Sequence, residues 1–425
     1  MRIAKSSLID PDRNGLYAVM AVALSYFVFA YSALFGQISI LAYYGVWLSL
    51  IAVNYRRVLG NYGVYLPIFA FSILTILSIF WSAAPPVTMR ASLQYFSHIV
   101  CALVAMRVVG LRSFLRGSMI GICVVLIYSL LFGNYFLDPL DGSFSFVGAF
   151  SSKNQLGFYA SLGLYFAFAS VVIVKERGLA MPASAGLAVL SAYCLFASQS
   201  ATSVITVMAV IGASMVLRAV ILLSPRHRIA LVVAGVVLGG LGTAAFVYAG
   251  GVDLVLGAFG KDSTLTGRTY LWQQGIAAAQ INPIFGVGYQ AYWVQGFSEA
   301  ERLWDEFYIP TRAGFHFHNT FIETTVETGI VGLLLLVGML VTALIGNLSR
   351  LLVNVRDPEA GVLFGVAMLL VERAFVEIDI IFAYQIGSFL LYFMLGKLAL
   401  RRLVAAPRQS VVRYYGDGAP GARSL

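Results

Sequence analysis

The chain has 425 residues, of which 60% are hydrophobic and only 11% are charged, and its mean hydropathy is +0.86. This balance excludes a soluble globular enzyme. It predicts an all-α polytopic membrane protein, because apolar runs of about 20 residues, the length of a membrane-spanning helix, recur along the chain. The net charge of +9 does not indicate a nucleic-acid partner, because the basic residues follow a membrane topology.

Twelve apolar runs are predicted to be transmembrane helices, so that residues 1–425 form a single transmembrane domain. The first run lacks a clear small-residue cleavage site and is predicted to be retained as a span, not removed as a signal peptide. The predicted spans are 16–35, 38–53, 64–81, 92–109, 117–133, 156–174, 182–197, 202–217, 229–248, 320–346, 360–379 and 383–400.

The orientation follows from the Lys and Arg residues, most of which fall between spans on one side of the membrane. The positive-inside rule assigns that side to the cytoplasm and places both termini there. Residues 401–425 are then a basic cytoplasmic tail. The segment 249–318, between spans nine and ten, is predicted to be one long loop on the outer side, where the shorter loop 134–155 also lies.

Two short amphipathic helices are predicted within the long loop. The first is GRTYLWQQGIAAAQ, stopped by Asn282 and Pro283, and the second is SEAERLWDEFY. Aromatic residues are dense here, as is typical of helices at a membrane interface, although aromatic faces also suit sugar rings. These aromatic residues are Trp272, Tyr289, Tyr292, Trp293, Trp304 and Tyr308.

The loop residues 286–291, GVGYQA, match the GxGxxA pattern of dinucleotide-binding proteins. That pattern binds a dinucleotide only between a strand and a helix of a βαβ unit. Here it follows a predicted helix and a proline, so we interpret it as a turn.

The polar segment 314–332, GFHFHNTFIETTVETGIVG, leads directly into the tenth span. It contains His316 and His318, followed by Asn319 and Glu323. A histidine at the mouth of a membrane protein can exchange a proton near neutral pH, so His318 is a candidate acid or base; an ordinary loop histidine is the alternative. Two histidines alone make half a zinc site, so no metal site is predicted.

Basic residues on the outer side are candidates for anion binding. Arg268 opens the first loop helix, where a forked guanidinium and exposed helix N–H groups suit a phosphate. The alternative is an exposed loop arginine with no such role. Lys153 and Asn154 lie in VGAFSSKNQLG at the mouth of the sixth span. Lys153 departs from the positive-inside bias and therefore needs another reason to be there.

Span eleven contains the charged stretch VERAFVEID. A charge at the membrane centre costs at least about 2.5–3.5 kcal/mol, so such residues usually pair. Arg373 and Glu377 are four residues apart and are predicted to pair on one helix face. The stretch is either a structural ion pair or part of a site, because Glu377 and Asp379 approach the outer surface where His318 lies.

Three blocks of the sequence carry a family resemblance. They are VGAFSSKNQLG, then GRTYLW followed by NPIFGVGYQAYW, and then HN followed after nine residues by GxxG. In this order they resemble the O-antigen ligase and polymerase superfamily, the Wzy/WaaL group of membrane glycosyltransferases. The KN form and the SQSATS turn are most similar to the ExoQ-like exopolysaccharide polymerases of Gram-negative bacteria.

The resemblance implies a polymerase at the periplasmic face of the bacterial inner membrane. Such enzymes transfer a glycan from undecaprenyl pyrophosphate to a sugar hydroxyl of another repeat unit. The implied catalytic residues are His318 and Arg268. The implied substrate-binding or diphosphate-binding residues are Lys153, Asn154, Arg312, Asn319 and Glu323, of which Asn319 or Glu323 would fix His318.

The resemblance implies no cofactor, because a lipid diphosphate is already an activated donor. The expected partners are the lipid-linked oligosaccharide and the bilayer, with a chain-length regulator or an export complex as a further candidate.

Two other functions stay open at this point. One is a ligase of the same superfamily that passes the polymer to lipid A core or another acceptor. Ligases often carry Ser-Arg where this chain has Ser200-Ala201, and the missing arginine favours a polymerase. The other is a transporter or flippase of the lipid-linked glycan, although the paired broken helices of many transporters are not visible in the sequence.

Overall fold

A computed structural model of the protein describes residues 4–60, 62–137, 144–251, 257 and 267–405. Within these ranges the chain is mostly helical, with one two-stranded sheet. The strands are β1 (Asn134–Leu137) and β2 (Phe144–Gly148). The helices are α1 (Ser6–Ile9), α2 (Gly15–Leu59), α3 (Leu66–Leu77), α4 (Pro85–Val108), α5 (Leu111–Phe132), α6 (Lys153–Phe168), α7 (Ala180–Ser198), α8 (Ala201–Val220), α9 (Pro225–Tyr248), α10 (Arg268–Ile281), α11 (Ser298–Glu306), α12 (Thr320–Val353), α13 (Pro358–Ala374) and α14 (Ile386–Ala405).

Nine helices in the described part of the chain are long and apolar enough to cross a membrane, namely α2 to α9 and α12. This agrees with the predicted polytopic membrane protein. The first two predicted spans are the two halves of α2, which kinks at Gly36. The last two predicted spans coincide with α13 and α14, which lie outside the set of nine, and α13 has only 17 residues. The total of twelve spans stays a prediction.

The prediction of an all-α chain is wrong at the loop 134–155, where β1 and β2 form an antiparallel hairpin. Both strands are rich in aromatic residues, which favour extended structure. Tyr135 lies opposite Phe146, and its ring stacks on that of Phe144 with centroids 5.1 Å apart. Phe146 also belongs to the main hydrophobic core, so the hairpin is anchored to the helices.

Two glycines let α2 and α5 approach each other closely. A β-carbon at Gly117 would lie 2.7 Å from Cβ of Val22, and one at Gly121 would lie 2.8 Å from Cβ of Tyr26. The glycines are four residues apart and therefore lie on one face of α5. This is the small-residue spacing that brings membrane helices into backbone contact. The pair fixes the position of α5, whose C-terminal end leads into the hairpin.

Helix α12 is broken at Gly329, where φ is +67° and ψ is −169°. The break frees two backbone carbonyls, and the segment 283–288 of the long loop satisfies them. The amide of Val287 donates to the carbonyl of Val326 at 3.0 Å, and that of Gly288 donates to the carbonyl of Glu327 at 2.9 Å. The GVGYQA sequence is therefore a turn fitted to a broken helix, as its loop context predicts.

The long loop forms a packed layer with its own core. Helices α10 and α11 enclose a hydrophobic cluster separate from that of the transmembrane helices. Trp304, Tyr292 and Tyr289 are at most 2% exposed. The interpretation of these three aromatic residues as interfacial is therefore wrong, because their rings fill the inside of the protein. Two predicted regions lie partly outside the described residues. These parts are 252–256 and 258–266 of the long loop and 406–425 of the C-terminal tail.

Candidate active site

The segment before α12 alternates phenylalanine and histidine. Phe317 is fully buried in the loop core, and Phe315 packs against the same cluster. His316 and His318 each keep 32% of the side chain exposed. The phenylalanines thus anchor the segment, while the histidines stay accessible.

Asn319 ends this segment and caps α12. Its Oδ1 accepts hydrogen bonds from the backbone N–H groups of Phe321 at 3.0 Å and Ile322 at 3.1 Å. Its Nδ2 donates to the carbonyl of Phe375 at 2.8 Å and ties the start of α12 to the segment that follows α13. These contacts give Asn319 a structural function, and its contact with substrate stays a prediction.

His318 is held in the left-handed region, with φ of 49°, which few residues other than glycine adopt. Its Nδ1 lies 3.6 Å from Oε2 of Glu377. Next to it, Oγ1 of Thr320 donates to the backbone carbonyl of Glu377 at 2.6 Å. The imidazole therefore presents one ring nitrogen to a buried carboxylate, which leaves Nε2 as the nitrogen for proton exchange. A strained backbone at such a position is typical of functional residues.

Arg268, the first residue of α10, reaches the same carboxylate. Its Nη2 donates to Oε1 of Glu377 at 2.8 Å, and its Nη1 donates to the carbonyl of Val376 at 2.9 Å. The side chain is only 14% exposed. The alternative of an exposed loop arginine is therefore wrong. These two bonds use two of the five guanidinium N–H groups of Arg268.

Asn154, the second residue of α6, is the third group on this carboxylate. Its Nδ2 donates to Oε1 of Glu377 at 2.7 Å. Its Oδ1 accepts a hydrogen bond from Oγ of Ser200, in the turn between α7 and α8, at 2.9 Å. The predicted site residues Asn154, Arg268 and His318 thus converge on Glu377 from three separate parts of the chain.

The charge of Glu377 is set by these neighbours. Burial raises the pKa of its carboxyl, but the positive charge of Arg268, the proximity of His318 and the positive charge of Arg373 together lower it to about 2. Glu377 is therefore a carboxylate at neutral pH. It orients the guanidinium and the imidazole in one place.

Arg373 does not pair with Glu377 as the four-residue spacing predicts. Helix α13 ends at Ala374, so Glu377 is not on its face. Nε of Arg373 instead donates to Oδ2 of Asp379 at 2.6 Å, and Nη1 donates to Oγ of Ser203 at 3.1 Å. Burial raises the pKa of the Asp379 carboxyl although Arg373 opposes the shift. Nη2 of Arg373 also lies 3.5 Å from the backbone carbonyl oxygen of Asn154, which places this second pair next to the Glu377 group.

The prediction that Asn319 or Glu323 fixes His318 is wrong, because Glu377 takes this position. Glu323 is fully buried and accepts hydrogen bonds from Nδ1 of His316 at 3.2 Å and from the amide of Phe317 at 3.0 Å. Glu323 therefore fixes the other histidine and the loop backbone.

Lys153 and Arg312 are placed differently. Lys153 is the first residue of α6, next to Asn154, and so starts at the mouth of the site. Nη1 of Arg312 lies 2.5 Å from Glu301, and Nη2 lies 3.6 Å from Asp305, both in α11. Among the described residues, the ion-pair partners of Arg312 are thus in the loop layer and not in the Glu377 group. Their contact with a diphosphate stays a prediction.

Glu377 is the residue that the sequence leaves open between a structural ion pair and a part of the site. Its place in VERAFVEID marks it as a membrane-edge charge, but the spacing suggests Arg373 as its partner. The residues that contact it are more than 50 positions away in sequence. Only the resemblance of the three separate blocks to one family could have suggested that these residues meet.

No three His, Cys, Asp or Glu side chains of the described ranges come together as a potential metal site.

An apolar groove of about 580 Å³ lies beside the site, between α10 and α12. Its walls include Ile276 and Ala279 of α10, Ile322 and Ile330 of α12, and Ile284. Arg268 begins one of these helices, and Asn319 caps the other. On α12 the lining begins at Phe321, two residues after Asn319, and on α10 it begins at Ile276, about two turns after Arg268.

Fold and site together define a polytopic membrane protein with a buried cluster of charges beneath a loop layer. Residues 186–337 match the model of the Wzy_C O-antigen ligase family. The chain is also 64% identical over 402 residues to the exopolysaccharide production protein ExoQ of Rhizobium meliloti (strain 1021), covering 95% of this chain and 92% of that protein. The chain therefore belongs to the O-antigen ligase and ExoQ-like family of bacterial membrane proteins.

Proposed function

We propose that the protein is a polymerase of a lipid-linked polysaccharide. It transfers a glycan from undecaprenyl pyrophosphate to a sugar hydroxyl of another repeat unit, at the periplasmic face of the inner membrane. The observation that carries this proposal is the convergence of Arg268, His318 and Asn154 on the Glu377 carboxylate. An anion-binding cation and a proton acceptor at one point are what a glycosyl transfer from a diphosphate requires.

Each group has a distinct task in the reaction. Nε2 of His318 takes the proton from the acceptor hydroxyl while Nδ1 faces Glu377, and the freed oxygen attacks the anomeric carbon of the donor. The bond from that carbon to the diphosphate oxygen breaks, and undecaprenyl pyrophosphate leaves with the electron pair. The remaining N–H groups of Arg268 bind the diphosphate and offset the charge that grows on it. Lys153 or Arg312 supplies a second cation.

The groove between α10 and α12 is the proposed place of the polyprenyl chain. Its lining is almost wholly apolar, and on α12 it begins two residues after Asn319, which follows His318. The exposed fractions of Ile276 (51%) and Ile330 (42%) leave it open at the outside. A lipid that enters sideways from the bilayer could thus keep its tail in an apolar environment while its diphosphate reaches Arg268.

The reaction so described needs no metal, because Arg268 takes the place of a divalent cation at the diphosphate. Purified protein reconstituted in liposomes with lipid-linked repeat units should form polymer at the same rate with and without EDTA. A rate that falls on chelation and returns with Mg²⁺ would contradict this part of the proposal.

A deletion strain distinguishes the polymerase from the ligase. Lipid-linked and secreted glycans would be extracted and sized by gel and mass spectrometry, with the wild-type gene and the His318→Asn variant reintroduced in parallel. Single repeat units on the carrier, with polymer restored only by the wild type, are the expected result. Full-length polymer stranded on the carrier would identify a ligase. Lipid-linked units that stay on the cytoplasmic side would identify a flippase.

A further inference from the structure

A second cavity lies at the opposite ends of the helices that build the site. Its volume is about 280 Å³, and it is bordered by the segment 173–175 that follows α6, the C-terminal part of α8, the end of α12 and the start of α13. The lining combines apolar side chains, among them Leu217, Leu351 and Phe364, with the cations Lys175, Arg218 and Arg356. A cavity that is apolar on one wall and cationic on another suits an amphiphilic anion.

The acidic residues around this cavity are already paired with other cations. Asp357, which lines it, is bound by Arg350 at 2.8 Å and Arg401 at 3.0 Å, and it also caps α13. Glu176, next to Lys175, is bound by Arg116 at 2.9 Å. In the part of the chain that the structure describes, these acidic residues thus pair with Arg350, Arg401 and Arg116, and not with the three cations of the lining.

The backbone around the cavity holds these cations in place. Lys175 has φ of 58°, a conformation that few residues other than glycine adopt. It follows the π turn Ala169–Ile173, and Nη1 of Arg218 donates to the carbonyl of Val172 within that turn. A π turn and a left-handed lysine in one short segment are typical of functional positions.

We propose that this cavity binds a phosphate ester with an apolar group, of which an anionic phospholipid of the adjacent leaflet is the main source. The phosphate lies among Lys175, Arg218 and Arg356, and the apolar group lies against Leu217, Leu351 and Phe364. Arginine and lysine donors are the usual partners of phosphate oxygens, and cationic sites near a membrane surface attract anionic lipids. This proposal does not depend on the proposed polymerase activity.

The cavity and the site are connected by shared helices. The first turns of α6 and α8 contain Asn154 and Ser203. Helix α8 and the π turn that continues α6 line the cavity at their other ends. Helix α13 begins at the cavity and contains Arg373 in its last turn. Each of these helices is about 16 to 20 residues long and so spans about 24–30 Å. The phosphate ester would therefore bind on the other face of the membrane from the site and stabilise the far ends of its helices.

The test is native mass spectrometry of the delipidated full-length protein titrated with phosphatidylglycerol or phosphatidylcholine. We expect phosphatidylglycerol to bind preferentially to the wild type. The Lys175→Ala/Arg356→Ala variant should lose about 5-fold in affinity for each cation removed, or about 25-fold in total. The matched control is Arg13→Ala/Arg112→Ala, which removes the same charge from exposed positions and should bind like the wild type.

Competition with glycerol 3-phosphate separates the two sources of the ligand. If millimolar glycerol 3-phosphate displaces the lipid, the site is supported and its occupant is a water-soluble phosphate ester. If it does not displace the lipid, the phospholipid is supported as the occupant. Equal binding of the two lipids to the wild type, or equal losses in the two double variants, would overturn the proposal. The lipid comparison on the wild type remains decisive if the cavity variant unfolds.

Discussion

Nη2 of Arg268 lies 2.8 Å from Oε1 of Glu377, although 109 positions separate the two residues in sequence. The side chains are only 14% and 9% exposed, so the ion pair is largely removed from water. It joins the first residue of the loop helix α10 to the segment after α13. His318 and Asn154 contact the same carboxylate. Loss of Arg268 or of Glu377 should therefore affect the whole site.

The Glu377→Gln substitution removes the charge but keeps the size of the side chain. We expect at least about a 100-fold loss of polymer formation, because the negative charge that faces Nδ1 of His318 and balances Arg268 is lost. Polymer would be measured in membrane vesicles, and protein abundance by immunoblot. Glu372→Gln changes a neighbouring carboxyl of α13 and serves as the control with near-normal activity. Full activity of Glu377→Gln would exclude the proposed dyad.

Substitution of Arg268 should reduce stability as well as activity. Arg268→Ala leaves the Glu377 carboxylate buried without its main partner, which costs about 3–5 kcal/mol for a buried pair. Arg268→Lys keeps the charge but loses the forked geometry, so it should be folded and still weak in diphosphate binding. The measurement is the melting temperature in detergent together with KM for the lipid-linked donor. An unchanged melting temperature for Arg268→Ala would contradict the buried pair.

The His318→Asn substitution tests the base without disturbing the backbone. Asparagine adopts the left-handed conformation more readily than most residues, so the φ of 49° at this position should be retained. We expect normal abundance and a loss of about 100-fold or more in rate. His316→Asn, two positions earlier, is the control and should retain much more activity, because its ring contacts Glu323 and not Glu377. Equal losses in the two variants would argue against a special function of His318.

Substitutions of Asn319 can distinguish a capping function of this residue from a substrate-binding function. Asn319→Ala should destabilise the protein by about 1–2 kcal/mol, because two amides of the first turn of α12 lose their acceptor. Asn319→Ser and Asn319→Asp restore a cap and should recover most of the stability. Melting temperature and KM of the three variants would be compared. A large rise in KM in a variant with restored stability would indicate that Asn319 also binds substrate.

The low pKa of Glu377 gives a specific dependence of stability on pH. Its folded-state pKa of about 2 is below the ordinary value, so its contribution is fully present above the ordinary pKa of a glutamate, about 4.3, and is lost as the pH falls towards 2. The contribution of Glu377 itself to the difference in melting temperature between the wild type and Glu377→Gln should therefore be constant from pH 8 to about pH 5. It should shrink below about pH 4. A difference that does not shrink as the pH falls from about 4 towards 2 would mean that the pKa of Glu377 is not lowered as described.

The sequence predicted the elements of this protein better than their contacts. Apolar run lengths located the membrane helices, and local patterns located α10 and α11, because both signals are carried by adjacent residues. The hairpin was missed, since short aromatic strands between two spans give no long periodic signal. Arg268 and His318 were selected by residue type and resemblance, and the structure brings them together.

The partner of Arg373 could not be inferred correctly, because the end of a helix decides it. Spacing of four residues brings side chains together only while the helix continues. Here α13 ends at Ala374, so Glu377 turns towards Arg268 and Asp379 becomes the partner of Arg373. Which side chains pair in this region is determined by the conformation of a loop, and the sequence pattern of charges does not encode that conformation.

Because α12 is broken at Gly329 and the loop completes the broken turn, a chimera of two related proteins must take the loop and the start of this helix from the same parent. A β-carbon at Gly329 would lie 2.1 Å from the carbonyl oxygen of Ile284, and the loop amides of Val287 and Gly288 complete the broken turn. A chimera that transplants the loop without the broken turn would leave carbonyls unpaired in an apolar setting, at a cost of about 1–3 kcal/mol each. Hybrids designed to alter specificity should therefore take 267–332 from one parent.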